Sequence, residues 1–301
     1  TKLEKPAFLL NVPFSYSADE PNNVWMEELG PEDRKINIRK AIRQFFELYH
    51  FLAAESLVCV LPTPANCTMQ DLVFTANMGV VLTHLSDQNT AIISNFSTEP
   101  RKPETTVGVG FFESMGYNAY VSPFRFEGEA ELKHLYDNVY LGGYGARSDI
   151  RAYEWMEKHF DMEIVTLEEV DPYLYHLDCT VFGLTQEDTL VCTEMYAKEE
   201  IAEVEKYTNI IDVSADDCYA GICNSVRLAN TILNASHIND LKPDDELYEG
   251  EVAKNRRLED IAVSHGFEVS YFNLSEYFKG GALLSCMVMH LNRNSYEFTL
   301  I

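Results

Sequence analysis

A cysteine late in the sequence is the first candidate for covalent chemistry. Cys286 lies in KGGALLSCMVMHLNR, where two glycines lead into an apolar run with the alternation of a β-strand. The alternation places Leu284, Cys286 and Val288 on one face of the predicted strand. Free cysteines in apolar strands are usually inert core residues, and attack on carbon requires the thiolate. An approaching guanidinium would lower the thiol pKa, so a cationic substrate could activate its own nucleophile.

A histidine and an aspartate two residues apart form the second candidate group. His176 and Asp178 lie in YHLDCTVFGL, and in a strand the side chains at i and i+2 point to one face. A histidine beside a carboxylate is a common structural pair. The same pair also suits general acid/base catalysis, because the carboxylate stabilises an imidazolium and offers a counter-charge to a cationic substrate.

An acidic segment supplies a third candidate. Glu127 in RFEGEAEL precedes Gly128, where the backbone can turn and expose the carboxylate, and Glu129 and Glu131 are alternatives in the same segment. Most glutamates merely face solvent. A carboxylate nevertheless fits a guanidinium well, because it accepts two parallel N–H bonds.

Asn77 and Arg147 could contact a substrate directly. Asn77 ends the apolar segment DLVFTANMG before a glycine-containing turn, where an asparagine more commonly makes its own turn hydrogen bonds. Arg147 in LGGYGARSD follows three glycines and opens a predicted helix with Ser148 as its N-cap candidate. An arginine there could hold a substrate carboxylate in bidentate fashion. The GGYG segment lacks the lysine and the glycine spacing of a phosphate loop.

The elements that must position these side chains recur along the chain. Each polar residue lies between short apolar strands, and the crossings follow one another at intervals of 50, 49, 48 and 62 residues. The residues at the crossings are Asn77, Glu127, His176, Asn224 and Cys286. Segments 33–57, 147–161 and 244–266 between them have helical patterns. The near-constant period predicts a closed, repetitive α/β architecture in which each unit delivers one residue to the centre. The alternative is an ordinary α/β chain with fortuitous spacing.

The composition limits the classes of partner. The sequence has 23 Lys and Arg against 48 Asp and Glu, a net charge of −25, so nucleic-acid binding is disfavoured. The negative charge would attract a cationic small molecule. The alternative is that the acidic surface only makes the protein soluble. No segment resembles a signal peptide or a membrane span.

The cysteines and histidines support neither a disulfide framework nor a metal site. Seven cysteines are an odd number without paired Cys-x-x-Cys motifs, and the eight histidines show no ligand spacing. We therefore expect reduced thiols, a cytoplasmic location and no metal or other cofactor.

Taken together, the segments DLVFTANMG, FEGEAEL, GYGARSD, YHLD and GG…SC closely resemble the guanidine-modifying (pentein) superfamily. Arginine deiminases, dimethylarginine dimethylaminohydrolases, amidinotransferases and arginine dihydrolases belong to it. The resemblance covers nearly the whole chain. It implies a single domain over residues 1–301, folded as a five-bladed α/β propeller of ββαβ-type units.

The resemblance also implies residue roles. Cys286 would be the nucleophile that forms a covalent amidino-thioether (thiouronium) intermediate. His176 would protonate the leaving amine and then activate water. Glu127 and Asp178 would hold the guanidinium, and Arg147 would grip the substrate α-carboxylate.

Further positions match at the substrate end of the site. The segment PNNVWM resembles the INPWM stretch of the dihydrolase-like branch, which makes Asn23 a second carboxylate contact. Asp71 and Phe74 of DLVFTANMG are expected to bind substrate as well. Asn77 separates subfamilies, because deiminases resemble FTRD here and dihydrolases resemble FTAN. The asparagine favours an arginine dihydrolase that yields ornithine, two ammonia and carbon dioxide.

Several departures keep other activities open. Ala130 and Glu131 replace a glycine and an aspartate of the family pattern, and Leu283–Leu284 is bulkier than usual. The alternatives are a dimethylarginine dimethylaminohydrolase, an arginine deiminase, an amidinotransferase, or a catalytically silent binding protein. The expected partner is a small guanidino compound, with no nucleic acid and no membrane, and homo-oligomerisation is left open.

Overall fold

The computed structural model describes residues 3–297 and has a mixed α/β fold of small sheets and helices. The strands are β1 (Ala7–Asn11), β2 (Leu57–Leu61), β3 (Gly79–Val81), β4 (Thr90–Ile93), β5 (Asn118–Val121), β6 (Leu132–Tyr136), β7 (Val139–Gly145), β8 (Glu163–Glu169), β9 (Val181–Gly183), β10 (Asp188–Val191), β11 (Asn209–Asp212), β12 (Val226–Leu228), β13 (Thr231–Ala235), β14 (Glu268–Phe272) and β15 (Met289–His290). The helices are α1 (Val24–Glu28), α2 (Pro31–Arg34), α3 (Ile38–Glu55), α4 (Glu104–Ser114), α5 (Ile150–Phe160), α6 (Lys198–Val204), α7 (Ala215–Tyr219), α8 (Glu246–Ser264) and α9 (Ser275–Phe278). Of the helices within the described range, none has the length and apolar character needed to cross a bilayer.

The same strand arrangement occurs in each of the five three-stranded sheets described. A short first strand pairs antiparallel with a central strand, the chain then crosses over through a helix, and a third strand pairs parallel with the central one. Four sheets follow the chain order directly: β3-β4-β5, β6-β7-β8, β9-β10-β11 and β12-β13-β14. The predicted ββαβ-type repeat is therefore present in the described residues.

The fifth sheet joins segments from opposite ends of the described chain. Its order is β15-β1-β2, with Phe8 opposite His290 and Leu9 opposite Met289. Strand β15 begins two residues after the turn that carries Cys286. The position of the candidate nucleophile thus depends on pairing with the first strand of the fold.

Helix α3 shows how these units are stabilised. Asn37 caps it by accepting a hydrogen bond from the Lys40 N–H, and its inner face buries Ala41, Phe45 and Leu48. These side chains pack with buried residues of β1 in one core cluster. Each large side chain removed from water contributes roughly 1.5–3 kcal/mol, which holds the helix on its sheet.

The predicted helix boundaries need small corrections. The segment predicted over 33–57 divides into α2 and α3, because the chain is extended at Lys35 and restarts at the Asn37 cap. The segment 244–266 forms α8, and Gly266 after its end has φ +76, a left-handed conformation suited to glycine. The predicted N-cap Ser148 is wrong, since Asp149 caps α5 and Ser148 turns inward.

The prediction that Cys286, His176 and Asp178 lie within β-strands is wrong. Like Asn77 and Glu127, they lie in or beside short 3₁₀ helices that precede the first strand of a sheet: Thr75–Met78, Gly128–Ala130, Leu177–Cys179 and Ser285–Met287. These 3₁₀ helices are only three or four residues long, too short to show a periodicity of their own beside the strands that follow.

Candidate active site

Cys286 lies in a buried turn between a carboxylate and an amide. Its side chain is 6% exposed, and the thiol Sγ lies 3.6 Å from Asp178 Oδ2. The Asn224 amide donates to Sγ at 3.5 Å. Burial and then the charge of Asp178 raise the pKa of the Cys286 thiol to about 12. The resting residue is therefore a neutral thiol, and a bound cation is needed to favour its thiolate.

The turn around Cys286 is fixed from both sides. The Ser285 N–H donates to Asn224 Oδ1 at 2.8 Å, and the Ser285 hydroxyl donates to Asp178 Oδ2 at 2.5 Å. Asn224 therefore supplies an acceptor to the backbone and a donor to the sulfur, which an asparagine can do with one side chain.

His176 is oriented by Glu127. The His176 Nε2 and Glu127 Oε2 atoms lie 2.8 Å apart, which leaves Nδ1 as the ring nitrogen that could exchange a proton with a ligand. The other Glu127 oxygen accepts hydrogen bonds from the N–H and hydroxyl of Ser97, at 3.1 and 2.6 Å. Burial alone would raise the pKa of Glu127, but the hydrogen bond from His176 and the charge of Arg147 hold it well below its usual range. Glu127 is thus ionised at neutral pH.

Two arginines lie beside this pair. The Arg147 guanidinium stacks over the Tyr175 ring at 4.6 Å, donates to the Asn22 carbonyl at 2.7 Å and lies 3.6 Å from Glu127 Oε2. Arg101 is buried and binds Glu104 with both ends of its fork, at 3.0 and 2.8 Å.

One cavity collects most of the predicted site residues. Seven of the nine predicted residues line it: Asn23, Asp71, Phe74, Asn77, Arg147, His176 and Cys286. Asp178 lines an adjoining cleft that also reaches Cys286 and His176. Glu127 lies behind His176, fully buried.

Asn77 presents an unsatisfied donor at this cavity. Its backbone carbonyl accepts from the Ser94 hydroxyl at 2.5 Å, but its side-chain Nδ2 is buried without a hydrogen-bond partner in residues 3–297. A buried amide left unpaired costs about 1–3 kcal/mol. A ligand oxygen in the cavity would remove that cost.

The described contacts of Asn23 are structural. Its Oδ1 accepts from the Met26 N–H and caps α1, while its Nδ2 donates to the Gly280 carbonyl at 3.0 Å. The neighbouring Asn22 instead donates to Asp71 Oδ2 at 2.6 Å. The role of Asn23 as a carboxylate contact stays a prediction.

Sequence reasoning missed four residues of the site: Asn22, Arg101, Tyr175 and Ser285. Asn22 directly precedes Asn23, and Tyr175 directly precedes His176, so the neighbours of the predicted residues already include them. Ser285 also adjoins a predicted residue, whereas Arg101 in STEPRKPE has no local pattern that separates a buried arginine from a surface one.

Comparison with known sequences gives one family and several relatives. Residues 13–292 match the family described as N,N dimethylarginine dimethylhydrolase, eukaryotic. The bifunctional arginine dihydrolase/ornithine cyclodeaminase AgrE of Nostoc sp. is 26% identical over 290 residues, which are 94% of this chain and 37% of that protein. The dimethylarginine dimethylaminohydrolase of Mycobacterium tuberculosis is 24% identical over 274 residues, 90% of this chain and 80% of that protein. The chain thus spans little more than a third of the first relative.

Solved structures share the fold. The substrate-bound N-terminal domain of ArgZ, an arginine dihydrolase from cyanobacteria, superposes with a TM-score of 0.81 at 23% identity, over 96% of this chain and 98% of that one. A dimethylarginine dimethylaminohydrolase adduct with S-methyl-L-thiocitrulline gives 0.69 at 18% identity, over 95% and 99%. At this identity the superpositions establish the architecture.

Proposed function

The chain belongs to the N,N-dimethylarginine dimethylhydrolase family, and from that premise we propose that it is a cysteine-dependent hydrolase of a guanidino compound. Arginine is the favoured substrate, with ornithine, two ammonia and carbon dioxide as products. The unpaired Asn77 amide in the cavity that holds Cys286 and His176 is the observation that carries this proposal.

Substrate charge starts the reaction. A guanidinium bound beside Asp178 and Cys286 supplies a positive charge next to a thiol whose pKa is raised to about 12 in the free protein. The thiol proton passes to His176 as Sγ attacks the guanidino carbon. His176 then gives the proton to a terminal nitrogen, the C–N bond breaks, ammonia leaves and the amidino-thioether remains.

Water completes the first round. His176, held by ionised Glu127 at 2.8 Å, takes a proton from water as the water oxygen attacks the same carbon. The C–S bond then breaks, the thiol is restored, and a ureido group occupies the site. This sequence needs the same histidine first as acid and then as base, which suits an imidazole.

Asn77 decides whether a second round follows. A ureido group is neutral, with an oxygen that accepts hydrogen bonds, and the free Nδ2 of Asn77 can donate to it. An aspartate at this position would favour the guanidinium and offer only acceptors to the ureido oxygen. A neutral ureido group does not favour the thiolate by charge, so His176 takes the Cys286 thiol proton as Sγ attacks the ureido carbon and returns it to the leaving nitrogen. The second ammonia leaves, and hydrolysis of the resulting thiocarbamate yields carbon dioxide and ornithine.

The rest of the cavity suits an α-amino acid. Arg147 can pair with the substrate carboxylate, while the Asp71 carboxylate can accept from the α-ammonium group. The ring of Phe74 offers a face for the aliphatic chain or the planar guanidinium.

We also propose that residues 1–301 form one domain whose five sheets are the blades of a propeller around this site. Support comes from the positions of Asn77, Glu127, His176, Asn224 and Cys286. Each precedes the first strand of a different sheet, and contacts or shared cavities connect them. Blades arranged around one axis would bring these turns together.

The stoichiometry of ammonia tests the function. With arginine as substrate, the wild-type protein is expected to release two ammonia per ornithine, and Cys286→Ala is expected to release none. In Asn77→Asp, ammonia should fall toward one per arginine as citrulline accumulates. Accumulation of citrulline by the wild-type protein would contradict the dihydrolase and indicate a deiminase.

A second candidate is hydrolysis of an N-methylated arginine. The cleft that adjoins Cys286 and Asp178 is walled by the apolar side chains of Trp25, Leu283 and Phe278, which could receive methyl groups. Turnover of dimethylarginine, with little turnover of arginine, would establish this alternative.

A further inference from the structure

Behind the Glu127–His176 pair lies a second pair of buried acids. Glu131 follows the turn Gly128–Ala130, and Glu169 ends β8; their side chains are 0% and 6% exposed. Gly143 makes room for both, since a Cβ on it would lie 2.9 Å from Glu131 Oε2 and 2.9 Å from Glu169 Oε1. The two carboxyl groups therefore lie next to the same position of β7, where Gly143 has no side chain.

The pair has too few donors for two carboxylates. Glu131 accepts from the Ser148 hydroxyl at 3.0 Å and from the Leu177 N–H at 3.2 Å. Neither oxygen of Glu169 has a hydrogen-bond partner in the described part of the chain. Two ionised carboxylates can only accept, so a proton is required to bond them to each other. Burial and then mutual repulsion raise the pKa of Glu169 far above its usual value, and burial raises that of Glu131.

Glu131 connects the segments that carry the reactive groups. Its partner Leu177 directly follows His176, and its partner Ser148 directly follows Arg147. The Ser148 hydroxyl also accepts from the Glu127 N–H at 3.3 Å. Through these bonds the Glu131 carboxyl group helps to hold the chain next to Glu127, Arg147 and His176.

We propose that Glu131 and Glu169 are positioning residues that share one proton, and that loss of this proton in alkaline solution moves His176 and Arg147 and stops hydrolysis. The inference rests on the proposed function. Two charged carboxylates in contact repel each other without solvent to screen them, and the repulsion acts on the Leu177 and Ser148 bonds. The other titratable groups that interact with the pair are Glu127, Tyr153, His176, Asp178, Cys179 and Tyr196.

Glu169→Gln tests the proposal because its amide can donate to Glu131 without a proton being shared. Wild-type kcat for arginine is expected to fall on the alkaline side, while Glu169→Gln should retain at least half of its neutral rate where the wild-type rate has fallen tenfold. Glu168→Gln, an exposed neighbour on the same strand, should follow the wild-type profile. Identical profiles for wild type and Glu169→Gln would overturn the proposal.

Carbon-13 NMR of wild-type protein with labelled glutamate carboxyls gives a readout independent of turnover and of variant folding. Burial raises the pKa of Glu104 to about 7, so one further glutamate resonance should keep the chemical shift of a protonated carboxyl above the pH at which Glu104 ionises, and should titrate in the range where activity falls. Ionisation of every glutamate by the pH at which Glu104 ionises would refute the shared proton. Failure to turn over arginine at any pH, with the protonated resonance present, would instead refute the proposed function.

Discussion

At the scale of the residue, the proposed mechanism depends on a thiol that is unreactive until a cationic substrate binds. Asp178 lies 3.6 Å from the Cys286 sulfur and, with burial, raises its pKa to about 12. The same carboxylate is well placed to hold a guanidinium. The Asp178 carboxylate would therefore disfavour the Cys286 thiolate in the free protein, and it would also attract the guanidinium that favours the thiolate.

Asp178→Asn is expected to separate these two effects. Removing the negative charge should lower the thiol pKa, so alkylation of Cys286 by iodoacetamide at pH 8 should accelerate by about tenfold, since one pKa unit is a factor of ten. Turnover of arginine should fall by about a hundredfold or more, because the guanidinium loses its counter-charge. Peptide mass spectrometry measures alkylation at Cys286 and ammonia release measures turnover.

An exposed aspartate provides the matched control. Asp216→Asn changes the same charge on α7 and should leave both rates unchanged. Parallel losses of alkylation and turnover in Asp178→Asn would mean that the substitution disturbs the site generally, and would refute the activation scheme.

At the scale of the element, the short turns before each sheet carry the site. The spacing of Asn77, Glu127, His176 and Cys286 predicted a recurring unit, because polar residues in apolar segments stand out in sequence. The 3₁₀ geometry was not predictable, because turns of three or four residues are too short to show a periodicity distinct from that of the strands that follow. The approach of Glu131 and Glu169 to the same position of β7 was also beyond prediction, since it depends on how β6, β7 and β8 align rather than on a local motif.

Gly128 shows how tightly two of these turns pack. Its φ is +68, and a Cβ there would lie 2.5 Å from the Ala76 carbonyl oxygen and 2.7 Å from the Asn77 carbonyl carbon. Gly128→Ala should therefore lower the free energy of unfolding by about 2 kcal/mol or more, and shift Asn77. Urea unfolding measures the loss of stability, and ammonia per arginine reports on Asn77.

Gly110 in α4 is the control glycine, because a Cβ there meets nothing within 4 Å. Gly110→Ala is expected to be neutral or to stabilise the protein by about 0.5–1 kcal/mol. Equal stability of the two alanine variants would contradict the packing described for the turns.

At the scale of the whole molecule, one sheet and one electrostatic field act on the site. Pairing of β15 with β1 fixes the segment that follows Cys286, and this contact between residues about 280 apart has no signature in local sequence. The net charge of −25, in contrast, is read directly from composition. A field of that sign raises the local concentration of a cationic substrate.

Ionic strength should therefore change turnover of arginine. We expect kcat/KM to fall by roughly threefold or more from about 10 mM to 0.5 M salt, as screening shortens the range of the field. Alkylation by neutral iodoacetamide over the same range is the control and should change little. A kcat/KM that is independent of salt would show that the acidic surface serves solubility alone.

The central claim is that Cys286 forms a covalent bond to the guanidino carbon, and intact-protein mass spectrometry after rapid acid quench with arginine tests it most directly. The wild-type protein should gain the mass of arginine less ammonia, or of citrulline less ammonia for the second adduct, located at Cys286 by peptide mapping and absent from Cys286→Ala. Turnover of arginine with no adduct in quenched wild-type protein, or with an adduct at another residue, would contradict the account.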